Sequence, residues 1–189
     1  MLYAIQFDAQ GQPLAQLLYR LDSHEGFELP ADQHECTEAE YRDYANQRLV
    51  SGQLQPASEA DLLPGAIVAR IEAIAASCNT AILEGFSSRA LGAEHRYPAK
   101  LTDQNNLQAS VLASLLPNLP ADWSTPFWCQ DAAGSWAYRP HTAAQIQQVG
   151  IDGKNAINAC IAQKIALEQQ LAKARTLAEV KAITWTAPQ

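Results

Sequence analysis

Five aromatic side chains lie close together in the second half of the sequence, and they are the residues best suited to bind another molecule. They fall within sixteen residues and include three of the four tryptophans: Trp123, Phe127, Trp128, Trp136 and Tyr138. Trp and Tyr dominate the binding energy of many interfaces, because their rings bury a large apolar area and keep one polar edge. The same rings are also typical of a small hydrophobic core. The sequence leaves both interpretations open.

A second candidate contact is an ion pair on a predicted helix. Lys164 and Glu168 are four residues apart, so they lie on the same side of a helix. Apolar residues flank the pair in two stripes, with Cys160, Leu167 and Leu171 in one and Ile161, Ile165 and Ala172 in the other. Such a helix can contact two neighbours at once, which suits a bundle or a symmetric assembly.

The histidines and cysteines do not form a catalytic or metal-binding pattern. The segment His34-Glu35-Cys36 lacks the second histidine of H-E-x-x-H, and His24, His34 and Cys36 would need a fourth ligand from elsewhere. The four cysteines contain no C-x-x-C pair, and we expect all of them to be reduced. There is also no nucleophile elbow and no phosphate-binding loop. We therefore predict no catalytic residue, no cofactor and no metal.

Composition and charge restrict the class of protein further. Of the 189 residues, 48% are hydrophobic, which predicts a folded chain, and only 17% are charged. The net charge of −7, without a Lys/Arg cluster, argues against nucleic acid and anionic membranes as partners. We find no signal peptide and no run of about 18 apolar residues that would cross a bilayer. An aqueous, reducing compartment is expected.

Residues 1–56 are predicted to form a small β-hairpin plus helix module. Two apolar runs, at residues 2–7 and 14–19, surround a turn and favour a β-hairpin, and residues 27–29 are a candidate third strand. A capping box, Thr37 with Glu40, then opens a helix that we expect to stop near Gly52.

Residues 57–189 are predicted to form a helical domain with a β-hairpin insertion at about residues 126–139, so the fold class is α+β. Residues 53–63 look like a linker that becomes a helix start. The next helix carries a heptad-like seam, either packed within a bundle or oligomeric: Ile67, Ile71, Ile74, Cys78 and Ala81. Two capping boxes, at Thr142 and Thr176, open a long helix and a short one. In the long helix, Gly150 and Gly153 are expected to be weak points.

The stretch from Gly85 to Trp185 resembles a domain of uncharacterised function found in proteins from the tail-fibre regions of tailed phages and prophages. The matching pieces are Gly85-Phe-Ser-Ser-Arg-Ala-Leu-Gly92, Tyr97, Asp103-Gln-Asn-Asn-Leu107, Phe127-Trp128, Gly134-Ser-Trp136, His141-Thr-Ala-Ala-Gln145 and Ala174-Arg-Thr-Leu-Ala-Glu-Val-Lys-Ala-Ile-Thr-Trp185. The N-terminal module is also similar to the start of phage tail-fibre assembly proteins, with Leu29-Pro30 before Thr37-Glu-Ala-Glu40-Tyr41.

The resemblance implies a non-enzymatic tail protein that binds a tail-fibre or baseplate protein and assists its assembly in the host cytoplasm. A permanent component of the virion baseplate or fibre is the first alternative, and it would be retained in the virion tail. A glycan-binding module built on the Trp-rich hairpin is the second. A homo-oligomer, such as a trimer, is compatible with the two-striped helix. Trp123, Phe127, Trp128, Trp136, Tyr138, Lys164 and Glu168 are the candidate partner-binding residues.

Overall fold

The chain forms two compact units in the computed structural model, Met1–Ala66 and Ile67–Gln189. The structure describes residues 1–20 and 26–188, so His24, one of the residues considered as a metal ligand, lies outside the described residues. Helices account for 45% of the chain and strands for 25%, which confirms the predicted α+β class, with strands at the N-terminus and a more helical region after them.

The first unit contains a three-stranded antiparallel sheet. Its strands are β1 (Leu2–Phe7), β2 (Pro13–Tyr19) and β3 (Gln33–Cys36), in the order β2-β1-β3. The predicted β1–β2 hairpin is confirmed. The Asp8 carboxylate holds its turn by accepting hydrogen bonds from the amides of Gln10 and Gln12, at 2.9 and 2.8 Å.

The third strand lies later in the sequence than predicted. It begins at Gln33, because a turn in which the Gln33 amide donates to the Pro30 carbonyl at 2.9 Å directs the chain back along β1. Phe27, in the predicted strand, instead packs its ring against Tyr19, with centroids 5.1 Å apart. A side-chain contact thus takes the place of strand pairing at residues 27–29.

The predicted helix after Thr37 is much shorter than expected. Its capping box is confirmed, since the Glu40 carboxylate accepts from the Thr37 amide at 2.8 Å, but α1 spans only Glu38–Arg42. A 3-10 turn and a second hairpin follow, with strands β4 (Gln47–Val50) and β5 (Gln53–Pro56). Ser51 and Gly52 both have positive φ, at 51° and 75°, which is the geometry of a two-residue hairpin turn. This turn, rather than a helix end or a linker, explains the polar residues there.

In the second unit, four helices accompany a four-stranded antiparallel sheet. The helices are α2 (Glu59–Leu83, which begins before the unit boundary), α3 (Leu101–Ser114), α4 (Ala143–Leu171) and α5 (Leu177–Ala182). The strands are β6 (Phe86–Leu91), β7 (Ala93–Tyr97), β8 (Ser124–Gln130) and β9 (Trp136–Thr142), which are neighbours in chain order. The capping boxes at Thr142 and Thr176 are confirmed.

The predicted β8–β9 hairpin is therefore half of a larger sheet. The sequence indicated only an interruption at residues 85–92, because β6 and β7 carry polar residues on their exposed side and lack a long apolar run. Gly92, with φ of 90°, turns the chain between the two strands.

The core of the second unit lies between the sheet and the helices. It is formed by side chains with at most 2% exposure, namely Tyr97, Phe127, Cys129, Ile146 and Val149. The partly buried side chains around it include Phe86, Leu107, Val111 and Trp123. Two strands of the sheet and helix α4 thus supply the residues of this hydrophobic cluster.

The two glycines of α4 allow neighbouring elements to pack closely against the helix. A Cβ atom at Gly150 would lie 2.8 Å from the Val111 Cγ2 atom, and one at Gly153 would lie 2.8 Å from the Phe86 Cζ atom. The α4 helix continues through both positions without a break. The predicted weak point therefore does not interrupt the helix, and the two glycines permit the close approach of α3 and β6 to α4.

The seam on α2 is partly buried within the chain. Ile74 and Cys78 are buried, and the Cys78 thiol lies against α4, 3.5 Å from the Cys160 carbonyl oxygen. All four cysteines are free thiols, and Cys78, Cys129 and Cys160 are buried. Part of the seam thus packs within the chain, as the bundle interpretation predicts.

Helix α2 is also long and apolar enough to cross a membrane, by length and composition alone. Its most apolar 18-residue stretch has a mean hydropathy of 1.5, and 11% of that stretch is buried. The prediction that no such segment exists is wrong, because alanines between the isoleucines raise the mean hydropathy without a continuous run of large apolar residues. Arg70 and Glu72 lie in the middle of the helix, where charges oppose insertion.

Candidate functional site

Three aromatic rings form a continuous exposed surface on the β8–β9 hairpin. Trp128 and Trp136 stack with centroids 6.1 Å apart and planes at 15°, and Trp128 meets Tyr138 at 4.8 Å. The exposed fractions of Trp128, Trp136 and Tyr138 are 38%, 37% and 68%. We call these three residues the aromatic ladder. Large rings exposed together are unusual on a monomer surface and are typical of binding sites.

The strand register explains why these rings share one face. Trp128 pairs with Tyr138, and Trp136 pairs with Gln130, so their side chains project to the same side of the sheet. Phe127 and Cys129 point to the opposite side and are buried at 2% and 0% exposure. The aromatic cluster of the sequence is thus divided between core and surface by the alternation of a strand.

The turn that joins the two strands is organised by one carboxylate. Asp131 accepts hydrogen bonds from the amides of Ala133 and Ser135, at 3.0 and 2.9 Å, and pairs with Arg139 at 2.6 Å. The hydrogen bond from the Ser135 amide is the main cause that lowers the pKa of Asp131 below its usual value, so the carboxylate stays ionised. Gly134, with φ of 82°, completes the turn. These bonds fix the distance between the two strands that carry the ladder.

A buried polar pair supports the sheet on its inner side. The His141 Nδ1 atom lies 2.8 Å from the Arg139 carbonyl oxygen, so Nδ1 carries the proton and donates. The Nε2 atom then accepts from the Tyr97 hydroxyl, at 2.8 Å. Both side chains are fully buried, and burial lowers the pKa of His141 and raises that of Tyr97. His141 is therefore a neutral structural residue.

A small pocket of about 180 Å³ adjoins the ladder. Its walls include Trp128 and Tyr138 together with Asp103 and Asn106 from α3. One oxygen of Asp103 accepts from the Lys100 amide at 3.0 Å, which is the cap of α3. The pocket thus places a carboxylate and an amide side chain beside two aromatic rings.

The remaining predicted binding residues lie elsewhere in the second unit. Trp123 packs against the core and is only partly exposed, and Phe127 lies in the core, so both support the sheet. Lys164 and Glu168 form the expected ion pair on α4, at 2.8 Å, with 33% and 29% of their side chains exposed. The hydrogen bond to Glu168 raises the pKa of Lys164. The structure thus brings together only Trp128, Trp136 and Tyr138.

The second unit also contains an apolar groove that the sequence analysis did not predict. The groove has a volume of about 1150 Å³ and lies between α3, α4, the end of α2 and the start of β6. Its walls include the exposed side chains of Leu112, Leu115 and Ile151, and the charged residues on it are Glu84, Arg96 and Lys154. Because parts of four elements create it, periodicity within one element could not reveal it.

A group of polar side chains joins β6 to α4 by hydrogen bonds. The Ser88 hydroxyl donates to Asp152 at 2.5 Å, and Gln148 donates to the other carboxylate oxygen at 2.8 Å. His95 faces Ser88 across the strands, but its Nδ1 atom is hydrogen-bonded to the Ala93 carbonyl. Among residues 1–20 and 26–188, no three His, Cys, Asp or Glu side chains are grouped closely enough to hold a metal ion.

Comparison with known proteins gives one family match. Residues 66–186 match a family model described as a domain of unknown function (DUF4376). The matched segment contains the sheet of the second unit and the aromatic ladder. No curated protein and no solved structure matches the chain significantly.

Proposed function

The chain belongs to the DUF4376 family, and we propose that it is a non-enzymatic bacteriophage tail protein that binds a tail-fibre protein and assists its assembly. The phage assignment rests on the motif resemblance between residues 85 and 185. The role of a binding protein rests on one structural observation, the aromatic ladder. In this proposal the protein acts in the host cytoplasm while fibres assemble.

The ladder has the properties of an interface anchor. Its three rings are held by a hydrogen-bonded turn and by a buried core, so little side-chain freedom is lost when a partner covers them. The two tryptophans are already stacked, and their exposed faces present apolar area that a partner would remove from water. We infer that the fibre protein contacts this face of the sheet.

Co-expression with the neighbouring fibre gene tests the proposal. We expect soluble fibre trimers in the presence of the wild-type chain and insoluble fibre protein in its absence. The double variant Trp128→Ala and Trp136→Ala should lose this effect while remaining folded. The variant Leu116→Ala, which removes an exposed aliphatic side chain just after the end of α3, is the matched control and should behave like the wild type. An unchanged yield of soluble fibre without the chain would refute the assembly role.

The same surface would also serve a permanent component of the baseplate or fibre. The two roles differ in the mature particle. Mass spectrometry of purified virions should find the chain absent, or present in traces, if it acts only during assembly. A fixed ratio of the chain to the fibre protein would instead establish it as a virion component.

The pocket beside the ladder favours a glycan as a second candidate ligand. Sugar rings stack their C–H faces on aromatic rings, and their hydroxyl groups bond to carboxylates and amides such as Asp103 and Asn106. Titration with fibre-receptor or cell-surface oligosaccharides should then shift the tryptophan fluorescence, and Asn106→Ala should weaken the shift. If the ladder binds only the fibre protein, no sugar should change the tryptophan fluorescence.

A further inference from the structure

The segment that follows α5 reaches the apolar groove of the second unit. Helix α5 ends at Ala182, and residues 183–188 continue without helix or strand. Ala187 and Pro188 form part of the groove wall, together with residues of α2, α3, α4 and β6. We call residues 183–188 the strap. A piece of the chain itself therefore already lies against the groove.

The side chains of the strap suit an apolar surface. Ile183 and Trp185 are partly buried, whereas Thr184 and Thr186 between and after them are exposed. Successive side chains of an extended segment point to opposite sides, so this alternation indicates that the apolar side chains face the protein and the threonines face solvent. The strap contains no charged residue, and the groove wall is mainly apolar. The strap and the groove are thus chemically matched.

No polar contact fastens the strap in place. Within residues 1–20 and 26–188, no hydrogen bond or ion pair joins residues 184–188 to another part of the chain. Helix α5 differs, because Val180 is 3% exposed and its amide donates to the Thr176 carbonyl at 3.1 Å. Segments with few buried contacts and no hydrogen-bonded backbone open locally at the lowest free energy. The strap can therefore detach while α5 stays folded.

Tethering explains how a weakly held segment still occupies its place. A segment on a short linker has an effective concentration in the millimolar range near its binding surface. Helix α5, anchored by the buried Val180, provides such a tether. A ligand that uses the same part of the wall binds only chains in which the strap is detached, and its apparent affinity falls by that fraction.

We propose that residues 183–188 are a displaceable strap, which occupies part of the apolar groove and opposes ligand binding there until it detaches. The ligand that best replaces it is an extended, uncharged apolar peptide, because the strap is itself such a segment. The inference goes beyond the proposed function and does not depend on it, since it requires neither the aromatic ladder nor a fibre protein.

Titration with the apolar dye anilinonaphthalene sulfonate tests the strap. Deletion of residues 184–189 should raise the affinity for the dye at least about 10-fold, as expected if the strap is closed in about nine chains of ten. Trp185→Ser in the full chain should act in the same direction, because it removes the largest apolar side chain of the strap. The matched control is Thr184→Ala with Thr186→Ala, which alters exposed side chains and should bind dye like the wild type.

Substitutions in the groove locate the dye. In the deletion variant, Leu112→Gln with Ile151→Gln should abolish the gain in affinity, because both side chains line the groove. Ile161→Gln with Ile165→Gln, two exposed isoleucines of α4 that do not line it, should leave the gain unchanged. All four side chains are exposed, so we expect every variant to fold, and circular dichroism verifies this.

A synthetic peptide with the sequence of residues 183–188 tests the strap as the occupant. At millimolar concentration it should displace the dye from the deletion variant. The same peptide with Ser in place of Trp185 should displace less.

Four results would overturn the proposal. They are equal dye affinity for the wild type and the deletion variant, weaker dye binding after the deletion, a gain that survives the groove substitutions, and a strap peptide that displaces no dye. Weaker binding after the deletion would show that the strap is a fixed part of the groove wall.

Discussion

At the scale of single residues, burial decides what each aromatic side chain contributes. Phe127 and Trp136 lie nine residues apart in the same hairpin, yet one is 2% exposed and the other 37%. Phe127 contacts the core around Tyr97, whereas Trp136 contacts Trp128 on the open face of the sheet. The first ring stabilises the fold, and the second is available to a partner.

Alanine substitutions should separate these two roles. We expect Phe127→Ala to lower the free energy of unfolding by about 3–5 kcal/mol, because it leaves a cavity in the core. Trp136→Ala should lower it by only about 1 kcal/mol, since the ring remains partly hydrated in the folded state. Urea unfolding followed by circular dichroism measures both values. An equal loss of stability in the two variants would show that Trp136 also belongs to the core.

The buried His141 makes stability depend on pH. Burial lowers the pKa of His141 in the folded state, so the unfolded chain binds a proton more readily than the folded chain. The contribution of His141 is therefore fully present above its unfolded pKa of about 6.5 and is lost as the pH falls below that value. The free energy of unfolding should decrease between pH 7 and pH 5.

The variant His141→Gln isolates this effect from the other titrating groups. Its amide can still accept from the Tyr97 hydroxyl, but it does not titrate. Urea unfolding at pH 5, 6 and 7 should show a flatter pH dependence for the variant than for the wild type. Identical slopes for both proteins would mean that another group causes the loss.

At the scale of elements, the packing of α4 depends on how closely α3 and β6 approach it. The Phe86 ring lies where a side chain on Gly153 would project, and the Val111 side chain lies where one on Gly150 would. Interiors are packed as densely as crystals, so an added methyl group must displace one of these neighbours. Gly65 in α2 differs, since no atom lies within 4 Å of a Cβ placed there.

Glycine-to-alanine substitutions at Gly153 and at Gly65 should thus change the stability of the protein in opposite directions. Gly153→Ala should cost about 1–3 kcal/mol through overpacking against Phe86, despite the better helix propensity of alanine. Gly65→Ala should stabilise the protein by about 0.5–1 kcal/mol, because alanine restricts the unfolded chain and fits the helix. Thermal unfolding compares the two variants with the wild type. A stabilised Gly153→Ala variant would show that β6 does not press against α4.

The elements that the sequence predicted are those with strong local signals. The capping boxes at Thr37, Thr142 and Thr176 predicted where three helices begin, and alternating aromatic residues predicted β8 and β9. Strands β4 to β7 were not predicted, because their stability comes from pairing with other segments. One example is the hydrogen bond that the Leu49 amide donates to the Gly11 carbonyl. The sequence predicted the aromatic cluster as a whole. Only the strand register shows that Trp128, Trp136 and Tyr138 lie on the exposed face and Phe127 on the buried one.

At the scale of the whole molecule, exposed apolar groups lie on separate surfaces of the second unit. The aromatic ladder and the apolar groove beside Leu112, Leu115 and Ile151 each expose large side chains, and the groove was not predicted. A net charge of −7 makes copies of the chain repel each other, which opposes non-specific association through these surfaces. Our proposal uses the ladder as the surface that contacts the fibre protein.

The affinity between the purified chain and its fibre trimer tests the central claim most directly. Calorimetric titration should give measurable binding for the wild type and for Leu116→Ala. The double variant Trp128→Ala and Trp136→Ala should bind at least about 30-fold more weakly, as expected when two anchor residues of about 1 kcal/mol or more each are removed. Equal affinity for the wild type and the double variant would contradict the assignment of the ladder as the fibre-binding surface.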